Sequence, residues 1–282
     1  MRVVHSPHEI YSQLTHERST GRSVGLVPTM GALHAGHLSL VEQAKRDCDI
    51  AVATIFVNPT QFGPHEDFSK YPRTLDCDLE LLRKINCDYV FVPSSEQIYA
   101  PGHSTFIDPP AVSRLWEGEI RPGHFRGVAT IVFKLFMMAP AHVAFFGRKD
   151  YQQVAVIRTM VEELNLPIRI EICDTIREAD GLAMSSRNRY LSTTERTRAL
   201  GLWRALQHAR ELVEQNVVDV AKIEAAMAEI LHTAPIDAID YARIVDALTL
   251  EPLEQIDDVA VAIIAARLGT TRLIDNLTLS RR

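Results

Sequence analysis

The chain has 282 residues, 46% hydrophobic and 23% charged, with 30 Lys and Arg against 36 Asp and Glu for a net charge of −6. Those proportions exclude a disordered or collagen-like chain, and the acidic balance argues against broad binding to nucleic acid or an anionic membrane. At roughly 150 residues per domain the length predicts about two domains, each able to bury a core.

In chain order, SVGLVPT (23–29) reads as a buried strand ending in a turn, and residues 37–48 as a helix with Leu38, Val41 and Ala44 at helical spacing. IAVATIFV (50–57) is continuous and β-branched, as a strand buried on both faces should be. A helix over 75–85, a strand over 88–93, a helix over 125–138 and a strand at HVAFFG (142–147) follow. Then come an amphipathic helix over 151–164 and a strand at PIRIEIC (167–173). Strands alternating with helices predict right-handed crossovers and a parallel sheet covered on both faces.

Beyond about residue 178 the rhythm changes. Residues 193–215 and 220–232 read as helices, with Ser192 or Thr193 as N-cap. AIDYARIV (238–245), VAVAIIAA (259–266) and TRLIDN (271–276) read as strands of a small antiparallel sheet. The expected architecture is α/β: a Rossmann-like parallel sheet domain over 1–177 and a smaller α+β domain over 178–282. Charge divides the same way, since residues 201–282 hold 8 Lys and Arg against 13 Asp and Glu, and nine of the eleven His precede them.

No apolar run approaches the roughly 18–20 residues of a membrane-spanning helix. The start, MRVVHSPHEI, lacks a basic region followed by an apolar stretch, so no secretory signal is expected. Cys48, Cys77, Cys87 and Cys173 show neither CxxC nor zinc-ribbon spacing and read as reduced thiols, which predicts a cytoplasmic location.

The chemistry clusters at the junctions after strands. PTMGALHAGH (28–37) stands where the first buried strand should hand over to a helix, the place where open α/β sheets bind nucleotides. Gly31 and Gly36 let the backbone approach a ligand, and His34 and His37, three apart, would face one way beside the helix's positive end. A zinc pair also fits that spacing, but would need a third ligand that nothing nearby supplies. There is no GxxxxGK[ST] or GxGxxG, which disfavours P-loop and dinucleotide sites.

Further along, FVNPTQF (56–62) offers the Gln61 carboxamide, with Asn58 as a supporting or direct contact. GRKDYQQ (147–153) carries Lys149 for phosphates, Asp150 to accept from a hydroxyl or orient the lysine, and Gln153 in the following helical turn; a surface ion pair is the bland reading. MSSRN (184–188) places two hydroxyls and a guanidinium in sequence, a clamp for phosphate oxygens or simply a turn and N-cap. Asp76 and Asp78 read as possible magnesium contacts or as complements to a helix dipole. His65, His103 and His142 read as solvated or structural, and Phe133, Phe136 and Met137 as core.

Taken in order, these blocks, with YPRT (71–74), RPGHFRGV (121–128), DGLAMSSRN (180–188) and RLIDN (272–276), resemble the pantothenate synthetase (pantoate–β-alanine ligase) family. That family lies in the nucleotidyltransferase-like superfamily, which shares the His motif with class I aminoacyl-tRNA synthetases. The resemblance implies an ATP-dependent ligase of pantothenate biosynthesis that joins (R)-pantoate to β-alanine through a pantoyl adenylate, releasing AMP and pyrophosphate. It assigns the ATP site to Met30, Gly31, His34, His37, Gly147, Lys149, Asp150, Ile176, Met184, Ser185, Ser186 and Arg187. Of these, His34, His37, Lys149, Ser185, Ser186 and Arg187 form the expected catalytic set.

Gln61 and Gln153 are assigned to pantoate, and Gln61 also to β-alanine. Residues 184–187 match the mobile loop that closes on ATP, and Ile176 a position contacting adenine through its backbone. Magnesium is expected to arrive with ATP, with no protein-held metal site; Cys77 replaces an acidic residue of some relatives. A homodimer is implied, with no nucleic acid and no membrane partner, and 178–282 is expected to act as a lid. Rival readings are a nucleotidyltransferase that stops after AMP transfer and a non-catalytic nucleotide sensor. An RNA-binding synthetase fragment is disfavoured by the acidic C-terminal part.

Overall fold

The computed structural model describes residues 1–64 and 66–281; His65, discussed above, lies outside them. Contacts divide the chain into two compact units, Met1–Gly147 with Gln152–Asp174, and Arg148–Tyr151 with Thr175–Arg282. The grouping departs from a single cut near 177/178 at two places: residues 175–177 already belong with the second unit, and so does an earlier turn. The turn Arg148–Tyr151 belongs with the second unit, to which the side chain of Asn276 ties it.

In the first unit, β1 (Arg2–Val4), β2 (Val24–Thr29), β3 (Ile50–Ile55), β4 (Tyr89–Phe91), β5 (Val143–Gly147) and β6 (Arg169–Cys173) form a sheet ordered β1-β4-β3-β2-β5-β6. Every neighbouring pair in it is parallel. Helices Pro7–Ser19, Ala35–Asp47, Leu75–Lys84, His124–Met138 and Tyr151–Glu163 accompany it.

Alternation along the strands feeds two apolar layers, as the pleat requires. Val24, Leu26, Ile50 and Val52 join Ile10, Leu14, Val128, Val132 and Ile157 in one. Val27, Ala51, Ala53 and Ile55 join Leu40, Val41, Ala44 and Leu82 in the other. The sheet is therefore buried on both faces, as the β-branched runs imply. From β2 the chain steps outward through β3 to β4, then returns to β5 on the other side of β2, creating a topological switch at the C-terminal end of β2.

Two features go beyond the sequence reading. β1 and the helix Pro7–Ser19 open the chain; the helix starts at Ser6, whose hydroxyl accepts from Glu9 N, with Pro7 in its first turn. Phe133 and Phe136 do pack with the core, but Met137 is 44% exposed: it lies on the outward face of the helix His124–Met138.

In the second unit, β7 (Ala238–Asp246), β8 (Val259–Leu268) and β9 (Thr271–Ser280) form an antiparallel sheet in that order. Helices Thr193–Glu214 and Val220–Thr233 supply Leu202, Leu206, Ile223 and Met227 to its core, against Ile244, Ala262 and Ile264. The first of these helices begins with a capping box, Ser192 and Glu195 each bonding the other's backbone N–H.

Candidate active site

At the end of β2 the backbone turns through Gly31 (φ +79°) and Ala32 (φ +50°), then enters the helix Ala35–Asp47. His34 caps that helix, its Nδ1 accepting from Gly36 N at 3.1 Å. Nδ1 thus carries a lone pair and the neutral ring keeps its proton on Nε2, a donor beside the helix's positive end. The ring of His37 lies against that of His34, with centroids 4.1 Å apart. The expected pairing of the two imidazoles on the entering turn is present.

The turn is held by a residue far from it in sequence, whose spacing alone does not point to this role. Asp78 is buried, with Oδ2 accepting from Ala32 N at 2.9 Å, Oδ1 from Leu33 N at 2.8 Å, and Oδ1 also from Thr74 Oγ1 at 3.2 Å. It neither merely complements the dipole of its own helix nor lies open to solvent. It clamps the loop that delivers His34. A Cβ on Gly31 would come 3.0 Å from Asp78 Oδ2, so glycine serves here for close approach as well as for its positive φ. Asp76, in contrast, is exposed.

After β3, a short 3₁₀ turn (Pro59–Gln61) presents Gln61, which is buried. Its Oε1 accepts from Asn58 Nδ2 at 3.0 Å, and its Nε2 donates to Met30 Sδ at 3.3 Å, so the structure brings Met30 and Gln61 together. Tyr99 OH donates to Asn58 Oδ1 at 2.8 Å, and Asn58 Nδ2 also reaches Gly127 O at 3.2 Å. Asn58 therefore acts here as a brace for Gln61.

The backbone of Gln61 is held separately. His124 Nδ1 donates to Gln61 O at 2.9 Å, while its Nε2 accepts from Arg121 Nη1 at 3.1 Å. Arg121 in turn makes a bidentate pair with Glu66 at 2.7 and 2.6 Å. Burial, reinforced by the neighbouring guanidinium, lowers the His124 pKa to about 4, so its ring stays neutral in this network. These residues give the RPGHFRGV block a purpose that its sequence alone did not disclose. Gly147 closes β5, and Gln153 sits half-buried in the first turn of the helix Tyr151–Glu163. The adjacent Gln152 is structural, bonding Glu117 N, Val112 O and Leu115 O.

The remaining assigned residues belong to the second unit. Lys149 and Asp150 lie in the 3₁₀ turn Arg148–Asp150, with Lys149 Nζ 3.8 Å from Asp150 Oδ1, the loose ion pair of the bland reading. Asn276 Nδ2 donates to Arg148 O at 3.0 Å and to Lys149 O at 2.7 Å. Beside it, the buried Asp275 accepts from Arg177 Nη1 and Nη2 at 2.6 and 3.0 Å. Burial pushes the Asp275 carboxyl up, while Arg177 pulls against it. Arg177 also donates to Gly181 O at 3.2 Å and stacks 3.7 Å from the Trp203 ring.

Ile176 O accepts from Met184 N at 3.0 Å, bringing these two assigned positions together across the loop. Ser185 Oγ accepts from Arg187 N at 3.2 Å and so caps the turn Ser186–Tyr190, in which Ser186 is buried. Lys149, Ser185, Asn188 and Asp275 line one small cavity whose accessible space is about 10 Å³, room for a single water.

His142 Nδ1 accepts from Val24 N at 3.0 Å, and His103 packs its ring edge-on against Tyr99 and Phe106; both roles are structural. Among the described residues no three His, Cys, Asp or Glu side chains assemble as a metal site. No helix of the described residues is long and apolar enough to cross a membrane.

The family model for pantoate-beta-alanine ligase matches residues 2–278. Pantothenate synthetase from Rhodopirellula baltica is 52% identical, covering 91% of each chain, and that of Fervidobacterium nodosum 47%, covering 99% of this chain and all of the other. The crystal structure of pantothenate synthetase from Thermus thermophilus superposes with TM-score 0.93 at 45% identity, over 98% of this chain and 99% of that one. Pantoate-beta-alanine ligase from Francisella tularensis, solved in complex with β-γ ATP and β-alanine, matches with TM-score 0.80 at 30% identity, over 98% and 97%. On sequence and fold together, the chain belongs to the pantoate–β-alanine ligase family of enzymes.

Proposed function

We propose that this ligase makes pantothenate in two steps. The pantoate carboxylate attacks the α-phosphorus of ATP as the bond to pyrophosphate breaks, giving pantoyl adenylate. The β-alanine amine then attacks the activated carbonyl, loses a proton, and AMP leaves with the former carboxylate oxygen. The observation that carries this reading is the His34–His37 pair at the N-terminus of the helix after β2, with Nδ1 of His34 engaged by Gly36 N so that Nε2–H is the donor.

Adenylyl transfer demands positioning and charge stabilisation more than a covalent intermediate, which suits such donors. His37 stabilises the charge that grows on the leaving phosphate. Met30, Gly31, Gly147, Asp150, Ile176 and Met184 receive the nucleotide, and Lys149, Ser185, Ser186 and Arg187 its phosphates. Gln61 and Gln153 hold pantoate, with Gln61 bordering β-alanine. Magnesium enters as part of the ATP substrate; both Asp78 oxygens already accept from backbone N–H groups, which suits a loop clamp better than a cation ligand. We further assign residues 178–282 a lid role, and the enzyme a homodimeric, cytoplasmic form, on the family resemblance.

The test supplies ATP, magnesium and D-pantoate, with and without β-alanine. Pantoate alone should support ATP–pyrophosphate exchange, and β-alanine should be required for pantothenate and AMP release. His37→Ala should abolish exchange while its unfolding transition stays cooperative. Near-normal exchange in that variant refutes the assignment of His37, and AMP release independent of β-alanine refutes the two-step order.

A further inference from the structure

The block RLIDN (272–276) has no role in the proposed chemistry, yet it sits at the middle of a dense hydrogen-bond array. Among the described residues β9 pairs only with β8, so its second edge carries no strand, and such an edge must be satisfied by something else. Here Asn276 O accepts from Arg177 Nη2 at 3.3 Å, and Asn276 N donates to Asp275 Oδ1 at 2.8 Å. The buried Asn276 side chain donates to the Arg148 and Lys149 carbonyls.

The orientation of that amide is dictated by chemistry. Both facing atoms are carbonyl oxygens, so only the NH₂ end can meet them. One NH₂ with two hydrogens satisfies two consecutive carbonyls of a three-residue 3₁₀ turn, and thereby sets the backbone from which the Lys149 side chain springs. Asp275, one residue earlier on the strand, holds Arg177, and Arg177 fixes the entry to the loop that carries Ser185, Ser186 and Arg187 through Gly181 O and the Arg177–Ala183 bridge.

We infer that Asn276 is a positioning residue for Lys149, and that the Asp275–Asn276 pair on β9 sets the Lys149 turn and the root of the Ser185 loop together. This rests on the reading that Lys149 serves the ATP phosphates. The edge strand of the C-terminal sheet then shapes the groups that meet the nucleotide.

The experiment compares Asn276→Ala, Asn276→Asp, Lys149→Ala and the double variant Asn276→Ala/Lys149→Ala in the full-length enzyme. Asn276→Asp keeps the side-chain shape but turns an oxygen toward two carbonyls; Asn276→Ala, which only removes the donor, is the milder change if the aspartate variant fails to fold. Loss of the clamp should speed amide hydrogen exchange across residues 148–152 by about tenfold or more, while the helices of the first unit exchange as before. The kcat/KM for ATP should fall by about tenfold or more, with KM for pantoate unchanged, because displacement of a positioned group slows the reaction steeply.

If Asn276 acts through Lys149, the double variant should match Lys149→Ala within about twofold, since residues that work as a unit are non-additive. Additive losses, or unchanged exchange across 148–152, overturn the inference while leaving the role of Lys149 standing. A fully active Lys149→Ala overturns the phosphate role of Lys149, and the inference with it.

Discussion

Asp78→Asn tests how the histidine loop is held. In the native protein the two carboxylate oxygens accept from Ala32 N at 2.9 Å, Leu33 N at 2.8 Å and Thr74 Oγ1 at 3.2 Å. An amide keeps one acceptor and turns an NH₂ toward a backbone N–H, so at least one buried donor loses its partner. Leaving a buried donor unsatisfied costs about 1–3 kcal/mol, a sizeable share of a typical stability of about 5–15 kcal/mol. The unfolding midpoint should drop by roughly 2–10 °C for a chain of this size.

The larger effect should fall on the chemistry. Ala32 sits at positive φ two residues before His34, and freeing it displaces the imidazole pair; pantoate-dependent ATP–pyrophosphate exchange should slow by about 10- to 100-fold. Asp76→Asn is the control, because Asp76 is exposed and should be nearly silent. Exchange within about twofold of wild type in Asp78→Asn would refute the clamp. So would rescue by raised magnesium, which would point to a cation rather than backbone N–H groups as the partner of this carboxylate.

Two further changes probe the support of Gln61. A Cβ at position 127 would lie 2.3 Å from Thr60 O and 2.6 Å from Gln61 N, so Gly127→Ala should destabilise by about 1–3 kcal/mol and raise KM for pantoate more than KM for ATP, read from urea unfolding and steady-state kinetics. The pKa of His124 falls from its ordinary 6.5 to about 4 on folding, so its neutral ring stabilises the protein above the unfolded pKa and that support is lost as pH falls from about 6.5 toward 4. Between pH 7 and pH 5 the loss should reach about 2 kcal/mol, and His124→Gln should flatten the difference in urea unfolding at the two pH values.

The architecture was legible in the sequence wherever burial left a continuous pattern. Ile50–Ile55 and Val259–Leu268 are almost uniformly apolar, and both are central strands. β1 escaped notice because three residues, exposed to buried, make no pattern, although Ser6 and Pro7 were available as a helix start. In the site, the His34–His37 pair was legible because its partners lie within one helical turn.

Asp78, Asn276 and Gly127 were not, for a common reason. Each acts on the backbone of a distant segment, 45 to 128 residues away for the first two, and backbone carbonyls and N–H groups leave no mark on residue identity. For Asp78, a helix start and a second acid two residues away point to magnesium or to a helix dipole, while its actual partners belong to the loop before His34.

The three-stranded sheet carries a consequence for the birth of the protein rather than its catalysis. From Val259 to Ala266 β8 holds eight residues without a charge, a proline or a glycine, and in the folded state its interior is almost wholly buried between β7 and β9. Such a segment is the kind that self-associates when left unpaired. β7 can shield one edge as soon as β8 is made, but the other edge waits for Thr271–Ser280 to be synthesised. The charges on the flanking strands, Asp240 on β7 with Arg272 on β9 at 2.6 Å, then close over it. Until β9 has been made, β8 keeps one apolar edge unpaired, and truncations that remove β9 should favour aggregation over any loosened but soluble state.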